Sequence, residues 1–86
     1  MLKLNLSKQA TKFLELAHPK HSKQIASKIQ ALRQNSVPND SKKIGKYLRA
    51  DSGEYRIIYF EEESILYIVL IGKRNDDEVY KMLKRI

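Results

Sequence analysis

The residues in this chain best suited to chemistry are arginines, lysines and tyrosines set at the ends and in the middle of apolar runs. Arg56 interrupts "YRIIYF" (55–60), where period-two alternation places it on one face with Ile58 and Phe60, and Tyr55, Ile57 and Tyr59 on the other. A guanidinium inside a sheet must either pair with an acid, such as Glu54, Asp51 or Glu61, or line a cleft, because burying it alone is very costly. Lys73 and Arg74 follow Gly72 directly after the apolar run "ILYIVLI" (65–71), at the rim of a strand, and Tyr80 comes six residues after Arg74. A basic approach, Lys42-Lys43-Ile44-Gly45-Lys46-Tyr47-Leu48-Arg49, leads into "YRIIYF"; Lys46 and Leu48 share one face there, Tyr47 and Arg49 the other.

A cleft lined by Arg, Lys and Tyr without a cluster of acids suits a phosphodiester rather than a metal ion, and neither a metal nor a cofactor is called for. RNA is cleaved without metal when its 2′-hydroxyl attacks the adjacent phosphate. That reaction needs a base near the hydroxyl, cations for the crowded phosphorane and an acid for the leaving oxygen. The planar fork of arginine fits phosphate oxygens, a lysine crowded by cations loses its proton more readily, and a tyrosine can stack on a base to hold the scissile step in line. His18 and His21 stand apart in "HPKH" and read as surface turn residues; a metal site there would lack carboxylate company.

The elements that must position these groups are legible in the hydrophobic periodicity. Leu2, Leu4 and Leu6 alternate with polar residues, a half-buried strand over 2–6. Ser7 is placed to cap a helix near 8–17, whose stripe is Ala10, Phe13, Leu14 and Ala17. Pro19 opens a second helix, buried along Ile25, Ile29 and Leu32 and ending near Asn35, and "NSVPNDSKK" reads as a polar loop. Strands at 45–50, 55–60 and 65–71, joined through "DSGE" and "EEES", predict an antiparallel meander. Asn75 is the expected cap of a last helix, with Glu78 as its capping-box partner, Asp76 and Asp77 at the positive dipole end, and an apolar face of Val79, Met82, Leu83 and Ile86. The order β-α-α-β-β-β-α makes an α+β fold: a small antiparallel sheet with an N-terminal helical hairpin and a C-terminal helix.

At 86 residues the chain is expected to be one domain spanning 1–86. It has no cysteine, no run long enough for a membrane helix, and its opening "MLKLNLSKQATKF" lacks the apolar block of a signal peptide, so the expectation is a soluble cytoplasmic protein without a membrane partner. Its net charge of +7 is lopsided: residues 1–49 carry eleven Lys and Arg against Glu15 and Asp40, a net +9, whereas residues 50–86 are net −2. Such asymmetry makes a positive face that attracts phosphate backbones before any specific contact forms.

At "GEYRIIY" and "GKRNDDEVY" the sequence resembles the RelE/ParE superfamily of bacterial toxin–antitoxin toxins, and order of elements, length and basicity agree along essentially the whole chain. The resemblance implies, for the RelE branch, a metal-independent, ribosome-dependent endoribonuclease that cuts mRNA, with the ribosome, mRNA and a cognate antitoxin as partners. It implies that Arg56 stabilises the transition state, Arg74 acts as acid or leaving-group stabiliser, and Tyr80 positions or stacks on the message. For the lysine pair that RelE-like enzymes carry before the arginine, Lys46 is the candidate here, with Arg49 as the alternative in a shifted register; the base is left open between them. Lys42, Lys43 and Lys73 are the candidate RNA-binding residues. The alternatives are a ParE-like inhibitor that binds DNA gyrase, and a non-catalytic basic nucleic-acid-binding domain.

Overall fold

A computed structural model describes residues 1–75 and 77–85. The expectations placed on Asp76 and Ile86 lie outside the described residues. The elements are β1 (Lys3–Leu6), α1 (Lys8–Leu16), α2 (Pro19–Gln34), β2 (Lys42–Ile44), β3 (Tyr47–Ser52), β4 (Tyr55–Glu62), β5 (Ile65–Lys73) and α3 (Glu78–Leu83). They form one five-stranded sheet in the order β1-β5-β4-β3-β2. The fold is the expected α+β arrangement with one strand more, and the sheet is mixed rather than antiparallel, because β1 runs parallel to β5.

The extra strand, β2, falls on what reads as polar loop and basic approach. Only three residues long, it is held by pairing Lys42, Lys43 and Ile44 with Arg49, Leu48 and Tyr47. Gly45 and Lys46 therefore form the connecting turn instead of opening β3, and Gly45 takes the positive φ of 57° that a two-residue hairpin requires at its first position. The next hairpin is equally tight: Ser52 faces Tyr55, so only Gly53 and Glu54 turn the chain.

The two faces of the sheet bury separate cores. On one, α1 and α2 lay Ala10, Ile25, Ile29 and Leu32 against Ala50, Tyr55, Ile57, Tyr59, Leu66, Ile68 and Ile71. On the other, α3 brings Val79 onto Ile58 and Leu70, with Tyr47, Tyr80, Met82 and Leu83 around them. A bulge opposite Ile58–Tyr59 takes up Val69, so β5 places Ile68 in the first core, Leu70 in the second and Ile71 in the first again. This explains why residues 65–71 read as a continuous apolar run.

The α1 end of the sheet is stitched to β5 by side chains. Ser7 Oγ caps α1 by accepting from the Ala10 N–H and donates to the Val69 carbonyl at 2.7 Å. Beyond the end of β1, Gln9 donates from Nε2 to the Ile71 carbonyl and accepts the Ile71 N–H on Oε1, at 2.8 and 2.9 Å. His18 caps α2 through Nδ1, and His21 is tied to the Tyr55 hydroxyl, so both turn histidines have structural bonds.

The start of α3 departs from the capping expectation. The helix begins at Glu78, the residue before it is Asp77 in a left-handed conformation (φ 50°, ψ 30°), and Asp77 makes no capping bond. Its carboxylate goes instead to Arg56, Nη1 to Oδ1 3.1 Å. A tertiary ion pair has taken the side chain that local helix chemistry would have used. Among the described residues no helix is long and apolar enough to cross a membrane.

Candidate active site

The second face of the sheet, beside α3, is where the cations meet. Arg56 on β4 lies between Asp51 on β3 and Gly72 on β5. Gly72 is what lets α3 come close: a Cβ there would meet Val79 Cγ1 at 2.9 Å. With α3 seated, Tyr80 comes over Arg56, whose guanidinium carbon is 5.2 Å from the ring centroid. Arg49, two residues before Asp51 on the same face of β3, donates from Nη1 to the Tyr80 hydroxyl at 2.6 Å. Arg74 leaves the end of β5 with its backbone N–H bonded to the Glu54 carbonyl, and its half-exposed side chain turns toward the same point.

At the centre of the arginines is Asp51. Its Oδ1 is buried, 3.5 Å from Arg56 Nε and 3.7 Å from Arg49 Nε, while Oδ2 lies 3.9 Å from Arg74 Nε. These are ion-pair distances, too long for hydrogen bonds: Oδ1 and both Nε atoms have no hydrogen-bond partner among the described residues. Three guanidinium groups thus surround one carboxylate without being locked to it. With Asp77 included, three positive charges face two negative ones among the described residues, which favours an anion.

Arg49 is held even more firmly in its charged form by the hydrogen bond to Tyr80; burial opposes this and the charge of Asp51 supports it. A guanidinium so placed donates hydrogen bonds and charge but does not accept protons.

Of the sequence candidates, Arg49, Arg56, Arg74 and Tyr80 converge. Lys42 joins them in part, since it lies directly across from Arg49 and therefore on the same face. Lys46 does not: as a turn residue at the far end of β3 it sits with its Nζ 5.3 Å from the ring centroid of Tyr47, lining a hollow of about 340 Å³ with Phe60, Glu61 and Glu62. Lys43 pairs with Leu48 on the opposite face. Lys73 pairs with Tyr55 and lines a hollow beside Phe13, Leu16 and Ala17, on the α1 side, so it does not share the rim with Arg74. Sequence reasoning undervalued the two acids. Asp51 entered only as one possible partner for Arg56, and Asp77 only as a helix-start charge. A two-residue turn at Gly53–Glu54 would have put Asp51 directly across from Arg56. Among the described residues no group of three His, Cys, Asp or Glu could hold a metal ion.

No family model matches the chain, and no curated protein sequence matches it. Its fold is that of solved RelE toxins. The isolated Escherichia coli RelE toxin superposes with a TM-score of 0.75 at 18% identity, over 99% of this chain and 98% of that one. The archaeal RelE–RelB complex from Pyrococcus horikoshii OT3 gives 0.72 at 22% identity, over 85% and 94%. YafQ from E. coli gives 0.68 at 17% identity, over 88% and 97%.

Proposed function

We propose that this chain is the toxin of a toxin–antitoxin pair and acts in the cytoplasm as a ribosome-dependent endoribonuclease on mRNA. The observation that carries the reading is the convergence of Arg49, Arg56, Arg74 and Tyr80 on one face, from β3, β4, the end of β5 and α3. Such a site supplies what attack of a 2′-hydroxyl on its neighbouring phosphate requires without a metal. Arg56, backed by Arg49, faces the charge that develops on the phosphorane oxygens, and Arg74, on the open side, faces the leaving 5′-oxygen. Tyr80, fixed by both Arg49 and Arg56, sets the position of the message. The ribosome then contributes the aligned substrate, and the basic N-terminal half favours docking on RNA.

The fold shared with solved RelE toxins supports the same reading, as does their crystallisation with antitoxin chains. The partner expected here is a small antitoxin whose acidic segment covers the basic surface.

The test is tightly repressed expression followed by mapping of mRNA 5′ ends, with and without ribosomes. Ribosome-dependent cuts within codons that vanish in Arg56→Ala are the expected result. Growth arrest with intact mRNA would refute it and direct attention to gyrase.

A further inference from the structure

Resting on that ribonuclease reading, we propose that Asp51 is the catalytic base, its outer oxygen Oδ2 taking the proton from the attacking 2′-hydroxyl. The lysine nearest the base position in sequence, Lys46, stands in a turn at the far end of β3. Arg49 does not accept protons. Among the described residues, the carboxylate that Arg49, Arg56 and Arg74 all approach is that of Asp51.

Its two oxygens are in different surroundings. Oδ1 is buried, at ion-pair distance from the Nε atoms of Arg49 and Arg56. Oδ2 lies toward Arg74, on the partly exposed side. In this assignment a phosphate engages Arg56 and Arg74 on that partly exposed side, with its adjoining ribose, not the anion, toward Oδ2. The 2′-hydroxyl of the adjoining ribose is then the hydroxyl closest to that oxygen.

The groups facing Asp51 come from every element around it: Arg49 on β3, Arg56 on β4, Arg74 after β5, Asp77 and Tyr80 at α3, with Lys42 across from Arg49 on β2. A carboxylate, unlike a lysine, serves as a base near neutral pH without first losing a proton. Among the described residues Asp77 is the other carboxylate at these arginines; it is the more exposed of the two and spends Oδ1 on Arg56 Nη1.

The step balances within the site. The 2′-hydroxyl gives its proton to Asp51 Oδ2 as the 2′-oxygen bonds to phosphorus. The bond from phosphorus to the 5′-oxygen breaks, and that oxygen leaves with the electron pair and takes a proton from water. Asp51 returns its proton to solvent, leaving a 2′,3′-cyclic phosphate and a 5′-hydroxyl.

The experiment is single-turnover cleavage of a defined message on programmed ribosomes, from about pH 6 to pH 9, by the wild-type protein, Asp51→Asn and Asp51→Glu. The expected wild-type rate is flat across that range, as for a carboxylate base and unlike a lysine base. Asp51→Asn is expected to lose about 10²- to 10⁴-fold in kcat with KM little changed, and Asp51→Glu to recover part of it. A wild-type rate that climbs steadily toward pH 9 overturns the assignment and points to Lys42; this readout needs no variant to fold. An Asp51→Asn protein that cuts at the wild-type kcat, or that loses only KM, overturns it as well, leaving Asp51 as a spacer between arginines. If the wild-type protein cuts nothing at any pH, the ribonuclease reading falls and this assignment falls with it.

Discussion

Arg49 reaches across from β3 to α3 and donates a hydrogen bond to the hydroxyl of Tyr80 at 2.6 Å. The same tyrosine lies under the guanidinium of Arg56, so one side chain is held by two cations at two different atoms. Ring and hydroxyl can therefore be tested apart.

Tyr80→Phe keeps the ring beneath Arg56 and removes only the acceptor for Arg49. It is expected to lower cleavage by roughly one order of magnitude, equivalent to about 1.4 kcal/mol, in keeping with one hydrogen bond to a charged group. Tyr80→Ala removes both contacts and is expected to abolish mRNA cleavage in the primer-extension assay. Equal activity in the two variants would show that the ring beneath Arg56 contributes nothing beyond the hydroxyl.

Gly72 sets how closely α3 approaches the sheet. In Gly72→Ala the new methyl meets Val79 Cγ1 at 2.9 Å, and the crowding should cost about 1–3 kcal/mol in urea unfolding. Val79→Ala relieves the clash. The double variant should accordingly be more stable than the sum of the two single losses, and simple additivity in the double-mutant cycle would contradict the packing described here.

Tyr59 gives a pH signature away from the site. Fully buried, it donates to the Ser36 carbonyl at 2.7 Å, and burial is the main cause that raises its pKa, with the charge of Asp40 adding and Ser41 opposing. A phenol with a raised folded value favours folding below its unfolded pKa of about 10, and that contribution is lost as pH climbs through the folded value. Melting temperature should hold up to about pH 10 and fall above it. In Tyr59→Phe the alkaline fall should be shallower, and stability near neutrality lower by about 1 kcal/mol because the Ser36 carbonyl loses its donor.

Salt should report how many phosphates the site engages. With Arg49, Arg56, Arg74 and Lys42 on one face, about four contacts to a single strand predict a slope of log K against log salt of roughly −3 for an uncleavable message. Arg56→Ala should make that slope shallower by about 0.7. A salt-independent affinity would remove the electrostatic basis for binding.

Much of this arrangement is legible in the chain. The stripe of Ala10, Phe13 and Leu14, the line of Ile25, Ile29 and Leu32, and the shared face of Arg56, Ile58 and Phe60 follow directly from helical and strand periods. What escapes is set by pairing across distance. β2 is three residues long and polar, so it has no pattern of its own and exists because β3 offers it a partner. The parallel docking of β1 on β5 depends on where α1 and α2 return the chain. Asn75, Asp77 and Glu78 spell a plausible helix start, but Arg56 lies closer to Asp77 than local capping chemistry could reveal. Asp51 belongs to the same class: its role follows from the two-residue turn that sets it across from Arg56, and a shift of one residue would turn it to the helical face.

The amide of Gln9 has a consequence of another kind. Carrying one donor and one acceptor at the spacing of a peptide unit, it meets the Ile71 backbone as a neighbouring strand would. β1 ends at Leu6, and without that amide the Ile71 backbone groups on that side of an apolar strand would have no partner. Segments of such composition are templates for aggregation. A single glutamine thus satisfies, within the chain, the backbone groups through which the end of β5 could otherwise pair with another molecule.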